Sequence, residues 1–376
     1  MQVLPVYTTR YYKKYKTDFD RSIKSFLESK NYILGKKVEN FEKKFAAFNQ
    51  NKKCLGVADG TRALEIALRS ICSSNNPHIF MPTHTAVATA MAVSSFVSLS
   101  NISLIDIADS HFNMCPKDLE DKYNFVKKNK NINEYVCVFV PIYGSLKGVK
   151  EISEFCSSRN IKFIIDSAQA HGVYYEKSRI KVSNFSDIST YSFYPTKNLP
   201  AFGDAGAICF NKDKHFKISS LLREYGWETG KRNESKVLGF NSRLDEIQAG
   251  FLSVGLKNLN KRNKIRETYA KKYLEYFKNQ KRISHYHKGC VFHQLVIETN
   301  NRNKFIDAAK KQGVFMGIHY PLHVGQQKPF KDISKSLKRA NKLTKRIISI
   351  PISPEMNQNE AKYAFKVITE LYEKFN

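Results

Sequence analysis

The sequence predicts an α/β protein with a largely parallel sheet covered by helices. From Asn51 to about Phe210, short apolar or β-branched runs alternate with segments of helical periodicity, which is typical of such sheets. Between Ser242 and Lys281 there are few helix breakers, and apolar residues recur at helical spacing. With 376 residues, the chain is long enough for two or three domains.

The predicted elements follow from these patterns in chain order. In the first part we predict helices over 60–72, 85–95, 116–128 and 149–159, and strands over 135–140, 162–165, 188–192 and 205–210. Residues 242–281 form one or two long helices that bridge two domains. Beyond them we predict strands over 291–297 and 314–318 and helices over 304–311 and 359–374.

These elements predict two domains. The large domain covers 1–245 and includes an N-terminal arm, and the smaller C-terminal α/β domain covers 246–376 and begins with the long helix. Residues 11–16 interleave tyrosine with lysine, as single-stranded nucleic-acid binders do. We favour a solvated arm, lying on a partner subunit, over a nucleic-acid site.

Composition excludes several classes of protein. The apolar share of 42% and the charged share of 26% are ordinary for folded chains and set aside disorder and low complexity. An excess of 62 Lys+Arg over 34 Asp+Glu leaves a net charge of +28, which attracts anions. Two explanations stay open, a compositional bias spread over the whole chain and an anionic partner.

The cysteines and the chain start point to a cytoplasmic protein. Seven cysteines without a C-x-x-C pair argue against a disulfide framework or a zinc ribbon. Residues 1–16 leave no room for a signal-peptide core, and no run of about 18 apolar residues predicts a membrane span. The histidine pairs at 285/287 and 319/323 lack a third ligand at metal-like spacing, so we expect no metal.

Four motifs carry candidate chemistry. A turn at Gly60-Thr61 between a strand and a helix presents free backbone N–H groups to an anion such as phosphate. Asp166 ends an apolar strand, where open parallel sheets bind ligands. Lys197 lies in a loop rich in proline and glycine, where burial would make it nucleophilic. The fourth motif, residues 239–250, has Ser242 and Asp245 in a capping arrangement before the long helix.

Each motif alone also fits an ordinary structural role: a connecting turn, a helix cap or a surface lysine. Together they fit one cofactor. Pyridoxal phosphate needs a lysine for its covalent attachment, a carboxylate for its pyridine nitrogen and a phosphate cup. Lys197, Asp166 and the helix start at Gly60 supply all three.

The sequence resembles the DegT/StrS-type sugar aminotransferases, a branch of the fold-type I pyridoxal phosphate enzymes, over nearly its whole length. The matching stretches are 59–64, 82–89, 166–172, 192–199 and 239–249. The resemblance implies a mostly parallel, seven-stranded mixed sheet in the large domain.

The resemblance also implies roles for single residues. Lys197 would hold the cofactor and then move the proton between substrate and cofactor, and Asp166 would pair with the pyridinium nitrogen. Gln169 would contact the phenolic oxygen, and Ser192 would join the amides of Gly60 and Thr61 at the phosphate. The asparagine matching Asn241 reaches the phosphate from the neighbouring subunit in this family, which implies a homodimer with shared active sites.

Some positions depart from the family pattern. Many relatives carry an aromatic residue that stacks on the cofactor where this chain has Ala86, so His84 is our candidate for ring cover. We also expect His323, Tyr320 and Tyr225 near the sugar nucleotide. Lys197 argues against the branch that has histidine there and performs dehydration.

The run Arg223 to Trp227 looks most like that of members that aminate nucleotide-linked 3-keto-6-deoxyhexoses, with 4-keto enzymes as close neighbours. L-Glutamate would supply the amino group. A rival from another class is a basic nucleic-acid-binding protein on an inherited fold, which would need no Lys197. Another rival is a pyridoxal phosphate enzyme that aminates something other than a sugar.

Overall fold

The computed structural model describes residues 1–74, 76–175, 180–228, 231–334 and 336–376. Its helices, in chain order, are α1 Thr8–Lys14, α2 Lys16–Leu27, α3 Lys36–Asn49, α4 Gly60–Ile71, α5 Val87–Ser94, α6 Pro116–Asn129, α7 Val149–Ser158, α8 Asp213–Arg223, α9 Glu246–Tyr276, α10 Arg302–Lys311, α11 Lys338–Leu343 and α12 Gln358–Phe375. Its strands are β1 Lys53–Val57, β2 His78–Pro82, β3 Ile102–Ile105, β4 Tyr135–Phe139, β5 Lys162–Asp166, β6 Ile188–Ser192, β7 Gly206–Phe210, β8 Leu295–Glu298 and β9 Ile347–Ile350.

Seven strands form the main sheet, in the order β1-β7-β6-β5-β4-β2-β3. Strand β7 runs antiparallel to both of its neighbours, and the other pairs are parallel. The prediction of a mostly parallel, seven-stranded mixed sheet flanked by helices is therefore confirmed. Because β1, β5 and β6 point the same way, their carboxyl ends meet at one edge of the sheet.

Local sequence explains how α4 is placed on this sheet. The helix begins where the Asp59 carboxylate accepts a hydrogen bond from the Arg62 amide (2.8 Å), which is a typical N-cap. Its apolar face, with Ala63, Ile66 and Ala67, is buried against the sheet. This packing fixes the amino end of α4 beside the carboxyl end of β1.

The long helix predicted over 242–281 is one helix of 31 residues, α9. At its start, the Glu246 carboxylate accepts hydrogen bonds from the amides of Lys37 (3.1 Å) and Val38 (2.8 Å) at the first turn of α3. Strands β8 and β9 form a separate two-stranded antiparallel sheet after α9, and their core includes residues of α10 and α12.

The predicted strand over 314–318 is wrong. Val314 pairs with Val3, and Gly317 pairs with Ser349, so the segment makes two isolated bridges to different partners. The two partners belong to different parts of the chain, so no continuous ladder forms.

The N-terminal arm is solvated on the side of its lysines, whereas its tyrosine side packs against α9, and its contact with a partner subunit stays a prediction. Tyr11 is 4% exposed, and it lies against Phe19 and under the guanidinium of Arg262 (4.2 Å from the ring centroid). Tyr11, Tyr15 and Phe19 recur every four residues, so they share one face that packs with Phe251 of α9. Among the described residues, no helix is both long enough and apolar enough to cross a membrane.

Candidate active site

Five of the predicted site residues line one cavity at the carboxyl edge of the sheet. The cavity has a volume of about 470 Å³, and its walls include Gly60, Thr61, Asp166, Ser192 and Lys197. It lies between the start of α4, the start of α5, the end of β5 and the loop after β6. Ligands of open α/β sheets bind beyond the carboxyl ends of the strands, as here.

At one corner of the cavity, Gly60 and Gly206 leave only backbone atoms at the wall, and we call this corner the glycine cradle. A Cβ added to Gly60 would lie 2.5 Å from the Ser192 Cβ, and one added to Gly206 would lie 2.3 Å from the Asp59 carbonyl oxygen. Only glycine allows this close approach of α4, β6 and β7. The unpaired amides at the start of α4 and the Ser192 hydroxyl therefore face the same corner, which suits a phosphate.

Asp166 is a buried carboxylate with two hydrogen bonds. Its Oδ2 accepts from the Thr89 hydroxyl (2.9 Å), and its Oδ1 accepts from the Ala168 amide (3.2 Å). Burial raises the pKa of Asp166, while these hydrogen bonds and the charge of Lys197 act in the opposite direction. A cationic ring nitrogen beside it would restore the charge balance that burial disturbs.

Lys197 is the candidate nucleophile in this cavity. Its loop is held by backbone hydrogen bonds from Phe193 to Ala205 (2.8 Å) and from Ala201 to Phe193 (2.7 Å). Burial lowers the pKa of Lys197 to about 8, and Asp166 opposes the shift. A useful fraction of the amine is therefore neutral near physiological pH, as an attacking lysine requires.

The sequence model of the DegT/DnrJ/EryC1/StrS aminotransferase family matches residues 13–369. The chain belongs to this family. It is 32% identical over 361 residues to the dTDP-3-amino-3,6-dideoxy-alpha-D-galactopyranose transaminase of Aneurinibacillus thermoaerophilus, covering 94% of this chain and 95% of that relative.

Two further relatives show how far the similarity extends. The UDP-N-acetyl-3-dehydro-alpha-D-glucosamine 3-aminotransferase of Acidithiobacillus ferrooxidans is 30% identical over 345 residues, covering 90% of this chain and 89% of that protein. The crystal structure of S. venezuelae DesV in complex with a ketimine intermediate superposes with a TM-score of 0.90, 26% identity and full coverage of both chains. The predictions of family, fold type and enzyme class are thus confirmed.

The protein is an aminotransferase that uses pyridoxal 5'-phosphate, and its residues fit this cofactor. The glycine cradle at Gly60 leaves room for the phosphate, Asp166 is a buried carboxylate in the same cavity, and Lys197 is within that cavity too. When bound, the cofactor supplies an electron sink for the carbon that gains or loses the amine. The chain's own residues hold it, orient it and move the proton.

Gln169 lies just outside the cavity lining and is held at both ends. Its Oε1 accepts from the Tyr143 amide (2.7 Å), and its Nε2 donates to the Tyr320 hydroxyl (3.0 Å). Tyr143, which sequence reasoning missed, adopts a positive φ of 58° in the 3-10 turn after β4. Tyr320 is thus brought to Gln169, although 151 residues separate them in the chain.

His84 does not line the cavity, which has Ala86 in its wall instead. The Tyr143 hydroxyl donates to the His319 carbonyl, which can only accept, so His84 Nε2–H donates to the Tyr143 oxygen (2.6 Å). Burial lowers the pKa of His84 to about 3, so the ring is neutral. In this structure His84 supports Tyr143 rather than covering a cofactor ring.

His323 is buried and engaged within the protein in this structure, which does not support the predicted contact with a sugar nucleotide. It is fully buried, and both ring nitrogens are engaged within the protein, Nδ1 with the Thr83 hydroxyl (3.2 Å) and Nε2 with Asn341 (3.0 Å). A side chain with no surface and no unused polar atom has nothing to offer a ligand.

Asn241 and Tyr225 lie on an exposed loop, away from the cavity lining. The backbone of Asn241 pairs with Glu224, and its side chain is exposed. Tyr225 is 37% exposed, packs on Trp227 (4.8 Å between ring centroids) and lies below Arg243 (5.8 Å).

Thr89 is a cavity residue to which the sequence reasoning assigned no role. Thr85 and Thr89 are four residues apart, and their hydroxyls are 3.0 Å from each other. The sequence predicted a helix over 85–95, in which residues four apart share a face, and this spacing was the available signal. In the structure Thr85 precedes α5, and its hydroxyl still contacts that of Thr89.

Proposed function

We propose that this aminotransferase moves an amino group from L-glutamate to C3 of a nucleotide-linked 3-keto-6-deoxyhexose, with dTDP as the nucleotide. The amino sugar made would serve surface glycans such as lipopolysaccharide or capsule. The observation that carries the proposal is the presence of Lys197 in one cavity with Asp166 and the cradle at Gly60. The relative from A. thermoaerophilus, with a dTDP-3-amino sugar in its name, supports the position and the nucleotide.

The chain's residues would share the work as follows. Gly60, Thr61 and Ser192 bind the cofactor phosphate, and Asp166 keeps the ring nitrogen protonated. Lys197 Nζ takes a proton from the carbon of the amino donor and later gives one to C3 of the sugar. Gln169, which is held by its hydrogen bonds with Tyr143 and Tyr320, would contact the phenolic oxygen of the cofactor.

The visible absorbance spectrum tests the chemistry. The purified protein with pyridoxal phosphate should show a yellow band that bleaches with L-glutamate, and Lys197→Ala should lack the covalently attached form. A protein that takes up no cofactor would contradict the proposal. Nucleic-acid binding that is salt-sensitive and unchanged in Lys197→Ala would then favour the rival.

A substrate panel tests the position and the nucleotide. We expect the highest kcat/KM with the dTDP-linked 3-keto-6-deoxyhexose, compared with its 4-keto isomer and with the UDP- and GDP-linked sugars. NMR of the product locates the new amine. Preference for the 4-keto isomer would replace C3 by C4, and turnover of simple 2-oxo acids alone would exclude a sugar acceptor.

We also propose a homodimer in which Asn241 contacts the phosphate bound by the partner subunit, with Tyr225 near the sugar. The exposed Asn241 side chain leaves it free to act outside its own subunit. On the same loop, Leu238 is 96% exposed, and Tyr194 beside Lys197 is 53% exposed. Large apolar side chains at the surface mark contact regions, and a second copy would cover them.

A further inference from the structure

Behind the lysine loop lies a buried arginine whose charge is unmatched. Arg266 of α9 is 7% exposed, and its Nε is enclosed without a hydrogen-bond partner among the described residues. Glu355 is the carboxylate that acts on its charge, but Glu355 is already engaged. Its Oε1 pairs with Arg262 (2.9 Å), and its Oε2 accepts from the Ser353 hydroxyl (3.0 Å).

Arg262, one turn earlier in α9, has a partner for each of its three guanidinium nitrogens. Besides Glu355, its Nη1 donates to the Asn198 carbonyl (3.2 Å), and its guanidinium stacks on Tyr11. The two neighbouring arginines therefore differ: one is neutralised and the other is not. Burial lowers the pKa of Arg266 most, and the charge of Arg262 lowers it further. Glu355 opposes both effects, and the resulting pKa is about 10.

Arg266 borders a small cavity of about 30 Å³ between the N-terminal segment, the lysine loop and α9. The residues that line this cavity include Arg266, Lys197, Tyr7, Tyr11 and Ser353. This volume holds one or two water molecules or a single small ion. The hydroxyl of Tyr11 is also buried without a hydrogen-bond partner.

The surroundings of this cavity are electropositive. Arg262 and Arg266 carry two positive charges against the one negative charge of Glu355, and Lys197, with a pKa of about 8, adds a third when it is protonated. His293 adds no charge of its own, because burial first, and then Lys197 and Arg266, lower its pKa well below the usual range. A buried cation without a counter-ion is strongly unfavourable, and guanidinium groups bind halides and carboxylates well.

We propose that this cavity binds one small monovalent anion, such as chloride or a single carboxylate group, with Arg266 as its main ligand. The site is distinct from the cofactor cavity but shares Lys197 with it. An anion there would stabilise positive charge on Lys197 Nζ, so its occupancy would tune the residue that moves the proton.

Bromide is the probe for the site. Crystals of the cofactor-loaded protein grown in isethionate and soaked in bromide should show an anomalous peak against Arg266. The peak should be absent in Arg266→Met and retained in Lys261→Gln, which removes an exposed positive charge from the same helix. Ordered water alone in the wild-type cavity would overturn the proposal.

Adding L-glutamate to the same crystals distinguishes the two sources of the anion. If glutamate displaces bromide, the natural ligand is a carboxylate of the amino donor. If bromide stays, the ligand is an inorganic anion. Both results support an anion site at Arg266.

Thermal unfolding shows whether the site binds in solution. Replacing isethionate with chloride at constant ionic strength should raise the Tm of the wild-type protein by about 1–3 °C. It should leave the Tm of Arg266→Met unchanged. A peak in crystals without this shift would mean binding at crystal concentration only and would overturn the proposal. If Arg266→Met does not fold, Arg266→Lys should show a smaller shift, because a single ammonium replaces the five-donor guanidinium.

Discussion

At the scale of single residues, the reactivity of Lys197 depends on the pKa of its amine. Because only the neutral amine attacks the cofactor aldehyde, the rate of cofactor capture by the cofactor-free protein should rise with pH, with a midpoint near the pKa of about 8. Asp166→Asn should move this midpoint down, since the carboxylate stabilises the ammonium form. Stopped-flow absorbance against pH measures both, with Lys197→Ala as the baseline. A midpoint near 10.5, the ordinary value for lysine, would contradict the role of burial.

Thr89 is a positioning residue, because it acts through the Asp166 carboxylate. In the wild type the Thr89 hydroxyl holds Asp166 Oδ2 and lowers the pKa of Asp166. Thr89→Val removes this hydrogen bond. A hydrogen bond to a charged group contributes about 1.5–3 kcal/mol, so we expect at least tenfold weaker cofactor binding in equilibrium titration. Thr89→Ser keeps the hydroxyl and should bind nearly as the wild type does. Equal loss in both variants would mean that packing, not the hydroxyl, matters at this position.

At the scale of the elements, the active site depends on how closely α4 approaches β6. Gly60→Ala would place a methyl group 2.5 Å from the Ser192 Cβ, so α4 must move away from the cradle. Overpacking of this kind costs about 1–3 kcal/mol, and we expect it mainly as weaker cofactor binding. Asp59→Ala, which loses the helix cap without a clash, should cost about 1 kcal/mol of unfolding free energy and affect cofactor binding less. Free energy of unfolding and cofactor affinity, measured side by side, separate the two effects.

The elements also show what the sequence could predict and where it failed. The end of β6 at Ser192 and the start of α4 at Gly60 were predicted correctly, because turn residues and apolar runs are local signals. The segment 314–318 was not, because its apolar residues pair with Val3 and Ser349, far away in the chain. The burial of His323 could not be predicted from the sequence for the same reason, because its partner Thr83 precedes it by 240 residues.

At the scale of the whole molecule, one subunit does not account for every predicted cofactor contact. Lys197, Asp166, Ser192 and Gly60 converge in one cavity, whereas Asn241 lies exposed on a loop outside its lining. The sequence could place Asn241 in the site only by resemblance, since neither spacing nor periodicity carries information about a second copy. A shared site also predicts that two inactive variants, each with a different site residue replaced, complement each other in a mixed dimer.

Mixing Lys197→Ala with Asn241→Ala tests this directly. If Asn241 acts across the interface, a mixed dimer has one site with both residues intact and one with neither. Random exchange makes half of the dimers mixed, so about a quarter of the wild-type number of sites should return, with the activity to match. If Asn241 acts within its own subunit, every site in the mixture lacks one residue, and activity should stay at the level of the separate variants. Mixing two preparations of Lys197→Ala controls for effects of exchange itself, and analytical ultracentrifugation confirms that the subunits form dimers.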